Sequence, residues 1–356
     1  MNNDYRASGV PVIRGTNLGF GRHLGGDFAF VSEGKVARDL SRNTAAPDDV
    51  VFTQRGTLGQ VALVPADPYP LYVVSQSQMR LRVDPSKALA MYVYYACASQ
   101  PFNRQIVDNA ISTGVPHINL GILNRLTIPL PSLREQQAIA EVLGALDDKI
   151  AANTKLAATA RDLAESNFRL MMRNAADMAT LSDIMSLEYG KALPTSTRRP
   201  GPVDVFGSGG VTGSHDQALC PEPGVIVGRK GTAGAVHWSH RPFFPIDTAY
   251  YVVPKLDEVS QVFSYFLLRT LRLDEMNNDS AVPGLNRNQA HAAPIRLPTA
   301  SAIQEFTLLA TELFDITAQR NEENATLAAT RDTLLPQLMS GKLRVKDAES
   351  LVAAAV

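Results

Sequence analysis

Residues 128–156 read IPLPSLREQQAIAEVLGALDDKIAANTKL, and this stretch predicts the start of a long helix. Ser132 is the expected N-cap, and Glu135 is placed to complete a capping box. From there to about residue 174 the sequence has no proline and a single glycine. Apolar or small residues recur at alternating steps of four and three, the spacing of a coiled-coil seam. A helix of about 42 residues would be about 63 Å long and would need a partner helix.

A second helical pattern, from Thr299 to Pro336, supplies the expected partner. We expect the two helices to pair antiparallel, and the alternative is two ordinary helices buried in separate domains. A four-residue insertion relative to the first helix is close to one turn, so it roughly preserves the apolar face. The residues expected at the pairing seam are Ile139, Leu143, Leu146, Ile150, Asn153, Phe306, Leu313, Leu327 and Leu334.

Three pairs of segments recur in the same order, at offsets of 175, 167 and 171 residues, which indicates a duplicated chain. The matched segments are 49–63 with 224–238, 114–132 with 281–299, and 153–163 with 324–334. The first pair shares a strand-like apolar run, a basic residue and then Gly-Thr-x-Gly. This period is too long for a solenoid, so the pattern predicts two copies of a domain, each followed by a helical tail.

The segments before each tail alternate short apolar runs with Gly, Pro and Asn, and they contain short helical stretches. We therefore predict an α/β (α+β) fold with a pseudo-twofold duplicated architecture. In it, two similar globular domains are separated by two long antiparallel helices that form a coiled coil. The predicted divisions are a first domain at 1–131, a first helical spacer at 132–175, a second domain at 176–298, a second spacer at 299–345, and a C-terminal segment at 346–356.

Composition places the chain among folded globular proteins. Hydrophobic residues make up 45% and charged residues 19%, and the formal net charge is −1, which excludes a uniformly basic nucleic-acid coat. The two cysteines, Cys97 and Cys220, are too few for a disulfide framework and suit a reducing cytoplasm. We expect a cytoplasmic protein, because neither a signal peptide nor an apolar run of about 18 residues is apparent.

The two helical segments resemble the conserved regions of the specificity (S) subunit of type I restriction-modification enzymes. Residues 128–156 carry a proline pair, Glu-Gln and Leu-Asp-x-Lys-Ile, and residues 313–345 carry Leu-Leu-Pro-x-Leu-x-Ser-Gly. The repeated Gly-Thr-x-Gly and Val-Pro-x-x-Asn elements resemble the two target-recognition domains of that family. The resemblance covers nearly the whole chain.

The resemblance implies that each domain reads one half of a bipartite double-stranded DNA target and that the helices set the gap. It also implies partners: DNA methylase (modification) subunits, two of them expected, and restriction subunits that translocate and cut DNA. The chain alone would then be a non-catalytic subunit without a cofactor.

The sequence departs from the family pattern at two places. Residues 301–304 read Ser-Ala-Ile-Gln where the family usually has Glu-Gln. The second domain opens with LSDIMSLEYGKAL (181–193), and the first domain has no such opening. Either the N-terminus is truncated or this opening element comes from elsewhere in the chain. We expect the C-terminal segment 346–356 to supply it by packing against the first domain, which would close the duplicated structure into a ring.

Candidate DNA contacts are side chains that can pair with base edges or phosphates, such as Arg and Lys for guanine and Asn and Gln for adenine. They lie in the two Gly-Thr-x-Gly loops, in Tyr189-Gly190-Lys191, near each domain start and before each domain exit. Solvated loops, hairpin turns and turn caps are the alternatives. The predicted contacts are Arg14, Asn17, Arg22, Gln54, Arg55, Thr57, Gln76, Gln78, Arg80, Thr113, His117, Asn119, Lys191, Arg198, Arg199, Arg229, Lys230, Thr232, Asn286 and Arg287.

The sequence contains no convincing catalytic motif. Residues 228–232 (GRKGT) fail the Walker A spacing, residues 207–214 fail the dinucleotide fingerprint, and the histidines show no paired metal spacing. No adenine-methylase motif or nuclease triad is apparent. Two other readings stay open at this point: an enzyme with an unrecognised site in a Gly-rich cleft, and a coiled-coil protein adaptor.

Overall fold

The structure is a computed structural model that describes residues 4–19, 21–112, 114–276 and 284–355. The chain divides into two compact units. Unit 1 comprises Met1–Asn153 and Glu322–Val356, and unit 2 comprises Thr154–Asn321. Each unit therefore combines one sheet domain with part of each long helix. The domain boundaries predicted from the sequence were drawn where the helices begin, and they stay predictions.

In both units a series of strands precedes a helix that packs on the sheet and then a long helix. The strands are β1 (Val10–Ile13), β2 (Ala29–Val31), β3 (Thr44–Ala45), β4 (Val50–Thr53), β5 (Val61–Leu63), β6 (Tyr72–Val74), β7 (Gln78–Leu81), β8 (Asp177–Thr180), β9 (Met185–Tyr189), β10 (Val203–Gly207), β11 (Gly210–His215), β12 (Gly224–Gly228), β13 (Val236–Ser239), β14 (Phe243–Pro245), β15 (Ala249–Pro254) and β16 (Pro294–Leu297). The helices are α1 (Glu33–Lys35), α2 (Ala90–Ala98), α3 (Gln100–Asn109), α4 (Leu120–Leu123), α5 (Leu133–Met172), α6 (Leu181–Ile184), α7 (Gln261–Thr270), α8 (Arg287–His291), α9 (Ala300–Met339) and α10 (Val345–Ala355).

Unit 1 contains two sheets. One has the strand order β2-β1-β6-β3, with β1 and β6 parallel, and the other is the antiparallel sheet β5-β4-β7. All four residues of β4 are buried, because Val50 and Phe52 face the cluster beneath α2 while Val51 faces a smaller cluster on the other side of the strand. Fully buried β-branched and aromatic side chains of this kind favour a central strand.

Unit 2 repeats this plan. One sheet has the order β11-β10-β14, with β10 and β14 parallel, and the other is the antiparallel sheet β13-β12-β15-β9. The strands β8 and β16, from the two ends of the domain, form a separate antiparallel two-stranded ladder. In both units, one sheet contains a parallel pair of strands, and a hairpin with a Gly-Thr-x-Gly turn forms part of the other. The duplication read from the sequence is therefore present in the fold.

The long helices begin alike and match the predicted lengths. The backbone N–H of Glu135 donates to Ser132 Oγ at 3.3 Å, and the N–H of Ala302 donates to Thr299 Oγ1 at 3.4 Å. Both α5 and α9 have 40 residues, which at ~1.5 Å per residue is about 60 Å. The N-cap hydroxyls satisfy N–H groups that have no partner inside the helix, so the caps fix where each helix starts.

Within unit 1 the two helices pack antiparallel. Arg331 Nη1 donates to Asp147 Oδ1 at 2.7 Å, and farther along α5 Lys149 Nζ lies 3.3 Å from the carboxylate of Glu323. Residues later in α5 contact residues earlier in α9, so the two helices run antiparallel. The buried members of this seam in unit 1 are Ile139, Leu143, Leu146, Asn153, Leu327 and Leu334, and Ile150 is half-buried.

Within unit 2 the pairing continues in the same sense. Thr317 Oγ1 lies 3.5 Å from the carbonyl oxygen of Ala157, and the rings of Phe168 and Phe306 have centroids 5.4 Å apart. The small residues Ala160 and Ala164 lie in the same cluster as aromatic side chains of α7 and α9. The predicted seam residues Phe306 and Leu313 are both buried here.

The departure from the family pattern at residues 301–304 has a structural counterpart. In unit 1 the fully buried Gln136 accepts a hydrogen bond from the N–H of Leu89 at 2.9 Å and donates to the carbonyl of Pro131 at 2.8 Å. The corresponding position of α9, 167 residues on, is the buried Ile303. A polar anchor at the start of α5 is thus replaced by an apolar contact at the start of α9.

The C-terminal helix α10 places Ala348 and Val352 in the same hydrophobic cluster as Leu143 and Tyr95. Packing of the segment 346–356 against the first domain was expected from the sequence, and its role as a replacement for a missing domain opening stays a prediction. No helix within the described part of the chain combines the length and apolar composition that a membrane crossing requires.

Candidate nucleic-acid interface

Each Gly-Thr-x-Gly loop is a tight turn between two antiparallel strands. Its glycines have positive φ values in both copies: +96° and +86° at Gly56 and Gly59, and +82° and +80° at Gly231 and Gly234. Side chains with a Cβ rarely adopt this backbone, so the turn requires glycine at these positions. A Cβ on Gly56 would meet open space, whereas one on Gly59 would lie 2.2 Å from Asn103 Oδ1. The first glycine therefore leaves an open approach, and the second permits close packing.

In unit 2, four segments far apart in the sequence meet at the end of this turn. The N–H groups of Arg229 and Lys230 both donate to the carbonyl of Thr248, at 2.9 and 3.2 Å. The N–H of Lys191 donates to the carbonyl of Pro245 at 3.1 Å. The carbonyl of Arg229 accepts from the N–H of Leu285 at 2.9 Å. These bonds gather the basic residues of separate loops onto one edge of the domain.

Tyr189 lies among these basic residues and contacts two arginines. The guanidinium carbon of Arg229 is 4.8 Å from the Tyr189 ring centroid, and that of Arg287 is 4.9 Å away. Arg229 Nη1 also donates to the carbonyl of Asp247 at 2.9 Å, and Arg287 lies 3.8 Å from the carboxylate of Glu188. We call Tyr189, Arg229 and Arg287 the Tyr189 cluster. Cation–π contact of this kind orients a guanidinium while leaving donors available.

The backbone under the Tyr189 cluster is closely packed. A Cβ on Gly190 would lie 2.2 Å from the carbonyl oxygen of Ile246, so only glycine fits there. Burial raises the pKa of Tyr250, and its hydroxyl donates to the carbonyl of Leu285 at 3.2 Å. Tyr189 itself is 47% exposed at the end of β9. The cluster therefore stands on a rigid base and faces solvent.

Unit 1 repeats the backbone arrangement with different side chains. The N–H of Gln54 donates to the carbonyl of Ser77 at 2.8 Å, and the N–H of Ile118 donates to the carbonyl of Gln54 at 2.9 Å. The N–H of Gly56 donates to the carbonyl of Pro116 at 3.2 Å. Gln54 thus occupies the place of Arg229 in unit 2, and the exposed Arg55 occupies that of Lys230.

The predicted DNA contacts separate by exposure. The exposed ones are Arg55, Thr57, Gln76, Asn119, Lys191, Arg199, Lys230 and Thr232. The half-buried ones are Arg14, Gln54, Arg80, His117, Arg198, Arg229, Asn286 and Arg287. Thr113 lies outside the described residues. All of these stay predictions as DNA contacts.

Three of the predicted contacts face inward and have partners inside the protein. Asn17 is fully buried; its Oδ1 accepts from the N–H of Arg14 at 3.0 Å and its Nδ2 donates to the carbonyl of Gly25 at 2.9 Å. Gln78 is 5% exposed and accepts a hydrogen bond from Ser75 Oγ. These amides hold their own loops, because a buried polar group is costly unless it is hydrogen-bonded.

Arg22 is the third residue that faces inward. Its side chain is only 9% exposed, and it forms an ion pair with Asp148 of α5 and points a further N–H at the carbonyl of Gly144 at 3.4 Å. Arg22 therefore fastens the sheet domain of unit 1 to the long helix. Sequence reasoning placed it in a Gly-rich loop, and the contact partner 126 residues away left no local signal.

Other predicted contacts already have partners inside the protein. Arg199 forms two hydrogen bonds with Asp216, at 2.7 and 3.0 Å, and Arg80 Nη1 donates to the carbonyl of Thr44 at 2.5 Å. Asn119 and Asn286 are the N-caps of α4 and α8. They therefore have the capping role that was the alternative to DNA contact. Their side-chain oxygens are used by the caps, so only their amide N–H groups could reach DNA.

Metal chemistry finds no support in the described residues, which contain no cluster of three or more His, Cys, Asp or Glu side chains able to hold an ion. Burial raises the pKa of Cys97 to about 12 and that of Cys220 to about 11. Both thiols are therefore protonated at neutral pH and are poor nucleophiles.

Two comparisons with known proteins cover less than half of the chain. A family model described as the type I restriction modification DNA specificity domain matches residues 4–160. The type I restriction enzyme MjaVIII specificity subunit of Methanocaldococcus jannaschii is 25% identical over 150 residues. That match covers 41% of this chain and 35% of the relative, so it spans about a third of the relative's length.

Two further comparisons extend over nearly the whole chain. The MjaIX specificity subunit of the same organism is 20% identical over 371 aligned residues, which cover 90% of this chain and 85% of the relative. The crystal structure of the S subunit of a type I restriction-modification system from M. genitalium has a TM-score of 0.64 at 19% identity, covering 94% of this chain and 93% of that one. This likeness shows a shared fold.

Two sheet domains of related plan, each followed by a long helix, form a duplicated architecture, and the chain shares its fold with an S subunit of known structure. The specificity-domain match over residues 4–160 and the relatives aligned over nearly the whole length make the chain similar to the specificity subunits of type I restriction-modification enzymes.

Proposed function

We propose that this chain gives a type I restriction-modification complex its DNA sequence specificity, with each sheet domain contacting one half of a bipartite target. The observation that carries the proposal is the repeated site. In both units the Gly-Thr-x-Gly turn, the following strand connection and a capped short helix converge through equivalent hydrogen bonds. Exposed cations, Arg55 in unit 1 and Lys230 in unit 2, stand at the same place.

These sites have the chemistry that DNA recognition requires. Phosphates are held by Arg, Lys and backbone N–H groups, and base edges are read by planar donors and acceptors. Gly56 faces open space and a Cβ on Gly231 would meet only Ser208 Oγ, at 3.5 Å, so a phosphate could approach the backbone of either turn. Residues 1–131 carry 12 basic and nine acidic residues, an excess that suits a polyanion.

We further propose that the helix pair sets the gap between the two half-targets. Both helices have 40 residues, and Pro336 is the one proline within them. Their seam is mainly apolar in both units. A helix of 40 residues, about 60 Å at its fixed rise of ~1.5 Å per residue, is long enough to serve as a spacer.

The helices also offer a surface for a partner. In unit 2, Leu156, Leu163 and Leu170 recur at seven-residue intervals on α5 and are 48%, 47% and 58% exposed. Near the end of this row a groove of about 440 Å³ is lined by Leu170, Met171, Phe306 and Leu309. An exposed apolar row with heptad spacing is suited to a helix of another protein.

We propose that a DNA methylase subunit docks on this row and that two such subunits bind per chain. Restriction subunits would join the same assembly. The partners would supply methylation of adenine and cleavage, and this chain would supply binding alone, without a cofactor. We place this complex in the cytoplasm, where its DNA substrates are found.

The direct test is to assemble the full chain with its modification subunits and to sequence the methylated adenines on random-sequence DNA. We expect a bipartite motif with a fixed gap. Arg55→Gln and Lys230→Gln should weaken DNA binding and lower the slope of log K against log salt by about one each. Lys342→Gln, an exposed cation in the turn after α9, is the matched control. A single undivided motif, or binding without sequence preference, would refute the proposal.

A further inference from the structure

The Tyr189 cluster differs from the other basic residues of unit 2 in how its side chains are held. Arg229 lies over the Tyr189 ring, is 6.0 Å from the centroid of the Tyr250 ring, and donates one N–H to the carbonyl of Asp247. A guanidinium has five N–H donors in a fixed plane. The contacts therefore fix the plane of Arg229 while most of its donors remain for another group.

Arg287 is held in a similar way from a different segment. Its guanidinium carbon lies 4.9 Å from the Tyr189 centroid, and its side chain is 33% exposed. The carboxylate of Glu188 is 3.8 Å away, a distance that balances charge without a short hydrogen bond. Two guanidiniums over one ring repel each other, so an acceptor group placed between them would be bound favourably.

This arrangement suits a base edge better than a phosphate. A guanidinium pairs with the O6 and N7 acceptors of guanine through two N–H groups in one plane, and that geometry needs a fixed plane. Lys191 and Lys230 are exposed, and flexible point charges of this kind suit phosphates, which carry no sequence information. Holding the arginines in place before binding lowers the entropic cost of ordering them.

Unit 1 lacks the cluster although its backbone is equivalent. At the positions that correspond to Arg229 and Arg287, it has Gln54 and the exposed Leu120. The two half-targets therefore meet different chemistry. One site offers two oriented guanidiniums, and the other offers an amide beside a flexible arginine, Arg55.

We propose that Arg229 and Arg287 read guanine in the half-target bound by unit 2, and that Tyr189 is the positioning residue that orients both. The half-target bound by unit 1 is read without such a pair. This inference rests on the proposed function, because it concerns one site of the same DNA surface.

The test compares variants of the full chain assembled with its modification subunits. Methylated motifs are sequenced, and binding to matched and single-substituted duplexes is measured at several salt concentrations. Arg229→Gln and Arg287→Gln should each lower discrimination at a guanine position in one half-target by about ten- to hundredfold and leave the other half unchanged. Tyr189→Leu should relax the same positions, and Tyr189→Phe, which keeps the ring, should retain them.

Lys230→Gln is the comparison for a phosphate contact, since it neutralises a neighbouring cation. It should weaken all sequences alike and reduce the salt slope by about one. If Arg229→Gln and Arg287→Gln behave in that way, the arginines bind phosphate and the inference is wrong. If the wild-type complex is selective and the variants keep its guanine preference, the inference is also wrong. Absence of any selectivity in the wild-type complex would instead refute the proposed function.

Discussion

The ion pair between Asp147 and Arg331 tests how unit 1 holds its two helices together. The Asp147 side chain is 6% exposed; its Oδ1 accepts from Arg331 Nη1 at 2.7 Å and its Oδ2 accepts from the Tyr95 hydroxyl at 2.6 Å. Arg331→Leu leaves a buried carboxylate with one neutral partner. Breaking a buried pair in this way costs about 3–5 kcal/mol. Because Arg331 is 22% exposed and water can reach its place, we expect about 2–4 kcal/mol.

A double-mutant cycle separates the pair from simple loss of packing. Tyr95→Phe should cost only about 1–1.5 kcal/mol, since it removes a single hydrogen bond. Asp147→Leu combined with Arg331→Leu should recover most of the loss, because no uncompensated charge remains. The assay is urea unfolding of the full chain, followed with hydrogen exchange in α5 and α9. A cost below about 1 kcal/mol for Arg331→Leu, or no recovery in the double variant, would refute this account of the pairing.

Two further changes probe the sheet domains. Burial and the adjacent Arg22 lower the pKa of His23, whose Nε2 accepts from Arg22 Nε at 3.1 Å, so the unfolded chain binds protons more readily than the folded one. Stability should therefore be full above pH 6.5 and fall as the pH drops below that value, and His23→Phe should flatten part of this dependence in thermal unfolding. Burial also lowers the pKa of His291, so part of the pH dependence should remain in His23→Phe. If His23→Phe and the wild type have the same dependence of stability on pH, His23 does not contribute to it. Gly190→Ala should destabilise unit 2 by about 2 kcal/mol or more and weaken DNA binding, because its Cβ would lie 2.2 Å from the carbonyl oxygen of Ile246. A melting temperature equal to that of the wild type would contradict this expectation, because it would mean that the backbone moves to accommodate the Cβ.

Local signals in the sequence were sufficient for the long helices and the repeated turns. The cap at Ser132 and the spacing of apolar residues predicted a helix to about residue 174, and α5 runs over Leu133–Met172. The glycines of the repeated turn could be recognised because a tight turn with positive φ needs them at fixed positions. These features depend on neighbours within a few residues, so a single sequence reveals them.

The direction of individual polar side chains could not be read in the same way. Asn17 and Arg22 lie in a Gly-rich loop that the sequence places near DNA, yet both are committed to the protein interior. The Tyr189 cluster is assembled from segments about 40 and 58 residues apart, and nothing in either segment alone indicates the other. Such contacts arise only when the tertiary fold brings the segments together.

The central claim is that one chain reads two half-targets at a spacing set by its paired helices. The most direct measurement is the methylated motif of a complex in which four residues are inserted after Asn153 in α5 and after Asn321 in α9. Each insertion adds about 6 Å of helix, which is close to the length of two base pairs at 3.4 Å each. We expect both half-sequences to be kept and the gap between them to lengthen by about two base pairs. A changed half-sequence, or an unchanged gap in a folded and active complex, would contradict the account.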